Sequence, residues 1–536
     1  MTRYALLFAL VAATIAAVWY WAGRPVALPA SPLAEGQRLT CLSYAPFHGE
    51  QAPFTPHLAI SDAQIAGDLE QLTKVTSCIR TYSSGGPQGR VTRLAGHYGL
   101  KVMQGIWIGR SAAKNRREIE YALRLARLHP EIVTAIIVGN ETLLRGELGA
   151  PRIQKYLKEV QSRTEAPVTY ADVWEFWLKA PELAEAADFI TIHILPYWED
   201  DPVAASEAVD HVSAIRKHVA GIFPEKEIVI GEVGWPSAGR MRGGALPSPA
   251  NQALVLSGVV AAAKEGGWKV NLIEAYNQPW KRLLEGTVGG YWGMFDDQKR
   301  EPKFQFGAPV SNHPQWRLEA GLGILIAAFV FVAGWFGAQT RKHAGERAEG
   351  TFAVALIALT SGLVAGWAAV NLPMESPESG DRLRAVGIFV LAVLVPAVAA
   401  FSVARGEPLD GFAVALNPEI ARRRDWPEIV LAMLLALTVI AAIHVALGLV
   451  FDPRYKDFPL AALSGPVAAL AVVAFSYAKR ITIIAGVAEG AVAATLASCA
   501  IFIVFNESAA NWQALWLALL LALLALTALR ARPVPS

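Results

Sequence analysis

The chain has 536 residues, 54% of them hydrophobic and only 18% charged, with a net charge of +2. This near-neutral balance, with no basic stripe interleaved with aromatics, excludes nucleic acid as the expected partner. Three cysteines with no CxxC and no Cys/His spacing give no reason to expect a metal.

The averages conceal a division. Residues 23–318 carry charge, Gly, Pro and turn signals throughout, whereas residues 319–530 are long apolar runs broken by short charged loops, a membrane composition. The first apolar segment, about Tyr4–Ala22, follows Met1-Thr2-Arg3 with its single positive side chain. It reads as a signal anchor over residues 1–22, with a signal peptide cleaved within Ala27–Ala34 as the alternative. Residues 23–37 read as a linker.

From residue 38 to 312, short apolar runs alternate with longer amphipathic stretches. The predicted strands are Leu39–Tyr44, Thr76–Tyr82, Lys101–Ile108, Thr134–Val138, Pro167–Val173, Phe189–Ile194, Glu227–Ile230 and Asn271–Tyr276. Helical patterns such as Asp62–Val75, Asn115–Leu128 and Pro249–Glu265 lie between them. Strands alternating with helices predict a parallel sheet, and eight such units match a (β/α)8 TIM barrel. A doubly wound sheet is disfavoured because no Gly-rich phosphate fingerprint follows the first strand. Cys41 and Cys78 fall in the first two strands, either as a disulfide of an oxidising compartment or as two buried thiols. Cys499 reads as a small packing residue.

An all-α multi-span transmembrane region is predicted over residues 319–530, with a short tail at 531–536. Its candidate spans are about 320–338, 352–371, 385–403, 429–450, 459–478, 481–504 and 512–529. Arg341, Lys342 and Arg347 share one loop, Arg422, Arg423 and Arg424 another, and Lys479 and Arg480 a third, with Arg530 and Arg532 after the last span. The loop near Glu375–Asp381 is instead acidic. Positive charge on every second loop makes that side cytoplasmic, puts both termini there, and places residues 23–318 outside. His444 and Glu489 fall inside spans, where ionisable groups are functional candidates by default. The bland reading is preferred for both, because no second acidic residue or relay accompanies them.

The strand ends are unusually polar and aromatic, and active sites of such barrels sit there. Glu141 follows the fourth strand in Gly139-Asn140-Glu141, and Glu232 follows the seventh in Gly231-Glu232-Val233-Gly234-Trp235-Pro236. A barrel brings both ends to one rim, and two facing carboxylates are what glycoside chemistry needs. One would attack the anomeric carbon while the other protonates the leaving oxygen, and a separation near ~5 Å gives retention of configuration. Asn140 would donate to the sugar 2-hydroxyl. Tyr44, Tyr82, Trp107, His193, Tyr197, Trp235, Glu274, Tyr276, Gln278, Trp280 and Lys281 are the expected substrate contacts at the strand ends. Flat side chains cover the apolar faces of pyranose rings. Among Trp107, Trp174, Trp177, Tyr197, Trp198, Trp235, Trp280, Tyr291 and Trp292, about half are expected to line a cleft and the rest to be core.

Val138-Gly139-Asn140-Glu141 and Ile230-Gly231-Glu232-Val233-Gly234-Trp235-Pro236-Ser237 resemble the acid/base and nucleophile motifs of glycoside hydrolase family 17. The resemblance covers roughly residues 39–306. It implies a (β/α)8 barrel with retaining chemistry on β-1,3-glucan, Glu141 as acid/base and Glu232 as nucleophile. Glu274-Ala275-Tyr276-Asn277-Gln278-Pro279-Trp280-Lys281 resembles the bacterial branch, although many relatives carry an acidic pair where this chain has Asn277-Gln278. The layout is similar to rhizobial-type membrane proteins of β-1,3/β-1,6-glucan synthesis. The resulting expectation is a retaining transglycosylase at the periplasmic face of a bacterial inner membrane. It needs no cofactor and no metal. Its partners would be β-glucan donor and acceptor, the lipid bilayer and a separate glucan synthase. The alternatives are a β-1,3-glucan hydrolase and a glucan-binding, export or scaffold component.

Overall fold

The computed structural model describes residues 2–340, 347–476 and 486–532. The chain folds as two compact units, one of residues 26–238 and 244–310, the other of residues 1–25, 239–243 and 311–536.

The first unit is a closed barrel of eight parallel strands in sequence order: β1 (Cys41–Ser43), β2 (Cys78–Arg80), β3 (Lys101–Ile106), β4 (Val133–Asn140), β5 (Val168–Val173), β6 (Ile190–His193), β7 (Ile228–Val233) and β8 (Val270–Leu272). β8 pairs with β1 and closes the ring, as the eight-unit pattern predicts. Helix α1 (Thr2–Ala22) precedes the barrel in the chain. The barrel's own helices are α2 (Asp62–Leu72), α3 (Gly86–Ala95), α4 (Ala112–Leu128), α5 (Ala150–Gln161), α6 (Trp174–Lys179), α7 (Ala208–Ile222), α8 (Pro249–Gly266) and the single turn α9 (Arg282–Glu285). Helices cover the outside of the sheet, so its strands are apolar on both faces and almost wholly buried.

Three of these helices start on a serine whose side chain accepts an N–H left unpaired in the first turn: Ser61 from Gln64, Ser111 from Lys114 and Ser248 from Asn251. Leu42 pairs with Ile79 in register, so Cys41 and Cys78 lie side by side and form a disulfide between β1 and β2. Two strand bounds shift relative to the sequence expectation in a way that matters for the site. β4 runs on through Asn140, and β7 runs through Glu232 to Val233 rather than ending at Ile230.

The second unit is helical. After α1 it contains α10 (Trp316–Gln339), α11 (Arg347–Met374), α12 (Ser379–Arg405), α13 (Phe412–Leu416), α14 (Pro418–Ala421), α15 (Trp426–Phe451), α16 (Leu460–Ser476), α17 (Val487–Glu507) and α18 (Trp512–Arg530). Among the described residues, seven helices are long and apolar enough to cross a membrane: α1, α10, α11, α12, α15, α17 and α18. Helix α16 stands where another span is expected. Its 17 residues reach about 26 Å at 1.5 Å per residue, just short of a ~30 Å hydrocarbon core. The ends of the expected spans 459–478 and 481–504 lie partly outside the described residues, as do Arg341, Lys342, Lys479 and Arg480. Glu489 is buried and accepts the backbone N–H of Phe412 at 2.8 Å, closing the start of α13. His444 is exposed on α15. Glu489 is thus engaged by the backbone, whereas the exposure of His444 does not place it in the helix contact that the bland reading supposes.

Candidate active site

The site grows from four strands. Near the end of β4 the pairing register slips between Ile137 and Asn140. Gly139 takes φ +94°, a conformation that favours glycine, and an added Cβ would meet the Thr142 hydroxyl at 2.9 Å. Glu141 itself sits at φ 52°, a left-handed value uncommon for a residue with a side chain. Its backbone N–H donates to Ala171 O at 2.8 Å, and its carbonyl accepts from Arg145 N. The Arg145 guanidinium donates back to Asn140 O and to Ile108 O. This turn aims the Glu141 carboxylate away from the sheet pairing.

β7 delivers Glu232, which is 4% exposed. Gly231 precedes it, and a Cβ there would strike Thr191 at 2.3 Å. The Arg80 side chain of β2 lies against this stretch of the β7 backbone. Arg80 is 1% exposed and donates to Gly231 O at 2.6 Å, to Glu232 Oε1 at 3.1 Å and to Asn140 Oδ1. Both of its terminal nitrogens also lie 3.3 Å from His193 Nε2. His193, at the end of β6 and fully buried, holds Glu141 Oε1 at 2.8 Å through Nδ1.

One oxygen each from Glu141 and Glu232 and one nitrogen of His193 lie within 4.8 Å of one another. Three such ligand atoms could surround a cation. A metal there would face the Arg80 guanidinium, which already lies against Glu232 and His193, so the positive charge of the cluster is supplied by a side chain. Burial pushes the Glu141 carboxyl up, but the His193 hydrogen bond and the charges around it, Arg80 and Arg145 among them, outweigh burial and hold it below the ordinary value.

Beyond β8 a second polar group forms. Glu274 is 1% exposed and accepts from Lys281 Nζ at 2.9 Å. Burial raises its carboxyl, opposed by Lys281. Burial pulls Lys281 down, but Glu274 and Glu285 outweigh it. Glu285 is pushed up to about 7 by burial and by the charges of Glu141, Glu274 and Glu232, against Lys281. Lys303 donates to Ser237 Oγ at 2.7 Å and to Asn277 Oδ1 at 3.0 Å, and burial brings it down to about 7.

The structure thus brings together Asn140, Glu141, His193 and Glu232, with Glu274 and Lys281 beside them. Tyr82 belongs to the same rim: the Arg80 guanidinium lies 4.9 Å over its ring, and its hydroxyl donates to Ser43 Oγ. Trp107 is 42% exposed with Arg145 stacked at 4.2 Å. Trp280 is half-buried, edge-on to Phe47 and Phe54.

Five expected contacts are instead committed to packing. The Tyr44 hydroxyl donates to Asp68 and that of Tyr276 to Gln71, both at 2.7 Å in a buried setting. Tyr197 packs against Trp198, Trp235 and Trp292, and Trp235 donates to Leu246 O. Gln278 is buried and accepts the Trp280 indole N–H at 2.8 Å. An aromatic ring at a strand end fills a barrel core as well as it lines a cleft, and here the core takes them. Trp177 and Trp292 are likewise core, while Trp174, Trp198 and Tyr291 are half-buried.

Sequence reasoning missed Arg80 as a central group, and also Glu285 and Lys303. Arg80 carried a signal, a charged residue closing the short apolar run Cys78-Ile79-Arg80. Glu285 and Lys303 carried none, because they lie in the irregular segment after β8, where no strand end marks them.

Residues 41–293 match the family model of the BtgE/BtgC glycoside hydrolase domain. A glucan 1,3-beta-glucosidase of Arthroderma benhamiae is 27% identical over 270 residues, 47% of this chain and 86% of that protein. A probable family 17 glucosidase of Saccharomyces cerevisiae is 26% identical over 47% of this chain and 64% of its own length. The cell surface mannoprotein MP65 of Candida albicans is 24% identical over 44% and 63%. Among solved structures, a glycoside hydrolase family 17 beta-1,3-glucanosyltransferase from Rhizomucor miehei superposes with a TM-score of 0.44 and 22% identity, over 49% of this chain and 95% of that one.

Proposed function

Residues 41–293 are a glycoside hydrolase family 17 domain, and from that premise we propose that the chain is a retaining β-1,3-glucan transglycosylase held in a membrane. The observation that carries the retaining assignment is the approach of Glu141 and Glu232, whose nearest oxygens lie within 4.8 Å. Retaining glycosidases hold their carboxyl groups about 5–5.5 Å apart, whereas inverting ones leave about 6.5–9.5 Å for a water.

Glu232 is the nucleophile. Arg80 holds its Oε1, leaving Oε2 to attack the anomeric carbon. Glu141 protonates the departing glucan oxygen as that C–O bond breaks, and a glycosyl ester forms on Glu232. An acceptor hydroxyl then gives its proton to Glu141 and attacks the ester, releasing Glu232. Arg80 can only donate, so it fixes Asn140 Oδ1 and turns the Asn140 amide N–H groups to the other side. They are the donors for the sugar 2-hydroxyl. Half-exposed Trp107 and Trp280 supply ring faces for the glucan chain.

The β-1,3-glucan substrate rests on the activity named for the Arthroderma benhamiae relative. Transfer prevails over hydrolysis when an ordered acceptor competes with water, an effect of proximity. The seven apolar helices and the Cys41–Cys78 disulfide, a bond of oxidising compartments, support an outer-facing barrel on a bacterial inner membrane. In that reading residues 1–22 are an anchor, 38–312 the periplasmic catalytic domain and 319–530 the spanning region. The product would carry new β-1,3 or β-1,6 linkages, and a separate glucan synthase would supply the polymer.

The test uses the purified full chain and linear β-1,3-gluco-oligosaccharides, with products followed by mass and linkage analysis. Products longer than the donor are expected, and Glu232→Gln is expected to abolish them. Shorter products alone would make the chain a hydrolase, and activity persisting in Glu232→Gln would remove the nucleophile assignment.

A further inference from the structure

We propose that Arg80 and His193 form a positioning pair that fixes which oxygen of Glu141 carries the catalytic proton. The inference rests on the retaining reading above and assigns a proton route that the reading leaves open.

The argument is one of donors and acceptors. A guanidinium donates and never accepts. Both terminal nitrogens of Arg80 face His193 Nε2 at 3.3 Å, so Nε2 offers its lone pair. The imidazole hydrogen is then on Nδ1, which donates to Glu141 Oε1 at 2.8 Å. An N–H on Nε2 would point at the guanidinium, so the contacts assign the hydrogen to Nδ1. His193 is fully buried.

With Oε1 occupied by an N–H donor, the transferable proton of Glu141 must reside on Oε2. In the first step that proton leaves Oε2 for the glycosidic oxygen as the C–O bond breaks and the Glu232 ester forms. In the second step it returns to Oε2 from the acceptor hydroxyl. His193 keeps its own hydrogen throughout and does not exchange protons with substrate. It is a positioning residue, and Arg80 positions it in turn. Because Arg80 also donates to Glu232 Oε1 and Asn140 Oδ1, one guanidinium sets the geometry of nucleophile, acid/base and sugar-binding amide together.

The charged and titratable groups facing Glu141 are His193, Arg80 and Arg145, with the carboxylates of Glu232, Asp172 and Glu285. Of these, His193 makes the direct hydrogen bond that favours the ionised form. Taking it away leaves burial with less opposition, so the Glu141 carboxyl rises.

The experiment compares the full chain with its His193→Ala and His193→Asn variants. The pH profile of kcat/KM is recorded on a β-1,3-gluco-oligosaccharide and on a dinitrophenyl β-laminaribioside, whose leaving group needs no proton. The alkaline limb of kcat/KM reports the free acid. In His193→Ala it is expected to move up by about one pH unit, while activity on the oligosaccharide falls roughly tenfold or more. The dinitrophenyl donor is expected to keep its glycosylation rate within about twofold, since general-acid help is what the variant loses. His193→Asn retains one donor and one acceptor, falls between the two, and carries the test if the alanine variant does not fold.

An unmoved or lowered limb would overturn the proposal, as would equal losses on both substrates. Infrared titration of the Glu141 carboxyl, with Glu141→Gln subtracted, reads the same shift without turnover. It therefore judges the positioning pair even if the chain proves inactive on glucan, an outcome that would remove the functional reading instead.

Discussion

The two halves of the barrel rim treat buried carboxylates in opposite ways. On the side built by β2, β4, β6 and β7, Glu141 and Glu232 are met by Arg80, His193 and Arg145, and the Glu141 carboxyl is held low despite burial. On the side after β8, Glu274 and Glu285 share Lys281, and burial wins: Glu274 rises and Glu285 reaches about 7. The difference lies in the partners. A planar guanidinium with fixed forked donors serves several acceptors at once, whereas a single ammonium divides itself between two carboxylates. The first half is therefore built to hold charge, and the second to give it up.

Removing the organising cation of each half should expose that difference. Arg80→Met strips the donor from Glu232, Asn140, Gly231 and His193 together, leaving Glu232 buried and 4% exposed without a counter-charge. Breaking a buried ion pair by deleting one partner costs about 3–5 kcal/mol. Denaturant unfolding of the full chain is expected to show a loss in that range, together with loss of glucan activity. Lys281→Met should cost less, about 2 kcal/mol, because Glu274 is already biased toward its neutral form and can take a proton in place of the lost ammonium. That loss should shrink on acidification as Glu274 takes up a proton. Equal costs at all pH values would mean that the two halves do not differ as described.

How much of this was legible in the sequence follows the same division. The eight-strand count, the strand order and the approach of Glu141 to Glu232 followed from apolar runs and their polar ends, because a closed barrel leaves strand ends no other place to go. The disulfide needed one more step, since only the pairing of β1 with β2 sets Cys41 beside Cys78. The Arg80 network was not legible. Its partners Asn140, His193 and Glu232 are 60, 113 and 152 residues away, and no spacing encodes them. The tyrosines show the limit from the other direction. Tyr44 and Tyr276 end strands just as substrate-facing aromatics would, yet their hydroxyls are taken by Asp68 and Gln71. What a strand-end ring touches is decided by which helix packs beneath it.

The smallest effect is the most specific to the β8 half. Glu285 is raised from 4.5 to about 7, so between those values the folded chain holds a proton that the unfolded chain has released. Its contribution to stability is full below about 4.5 and is lost as pH rises through about 7. Lys303 is lowered from 10.5 to about 7, so its contribution is present above about 10.5 and is lost as pH falls through about 7. The two slopes have opposite sign and meet near neutrality. Stability should fall from the acid side toward neutral pH because of Glu285, and recover on the alkaline side because of Lys303. Each slope is on the order of 1–2 kcal/mol after discounting for the partial exposure of both side chains. Denaturant midpoints of the full chain across the pH range are expected to show the acid-side fall disappear in Glu285→Gln with the alkaline-side rise intact. Lys303→Met should do the converse. If each variant instead flattened both sides, the two groups would titrate as one coupled unit through Glu274 and Lys281, and the β8 half would be a single network rather than two half-buried groups shifted independently by desolvation.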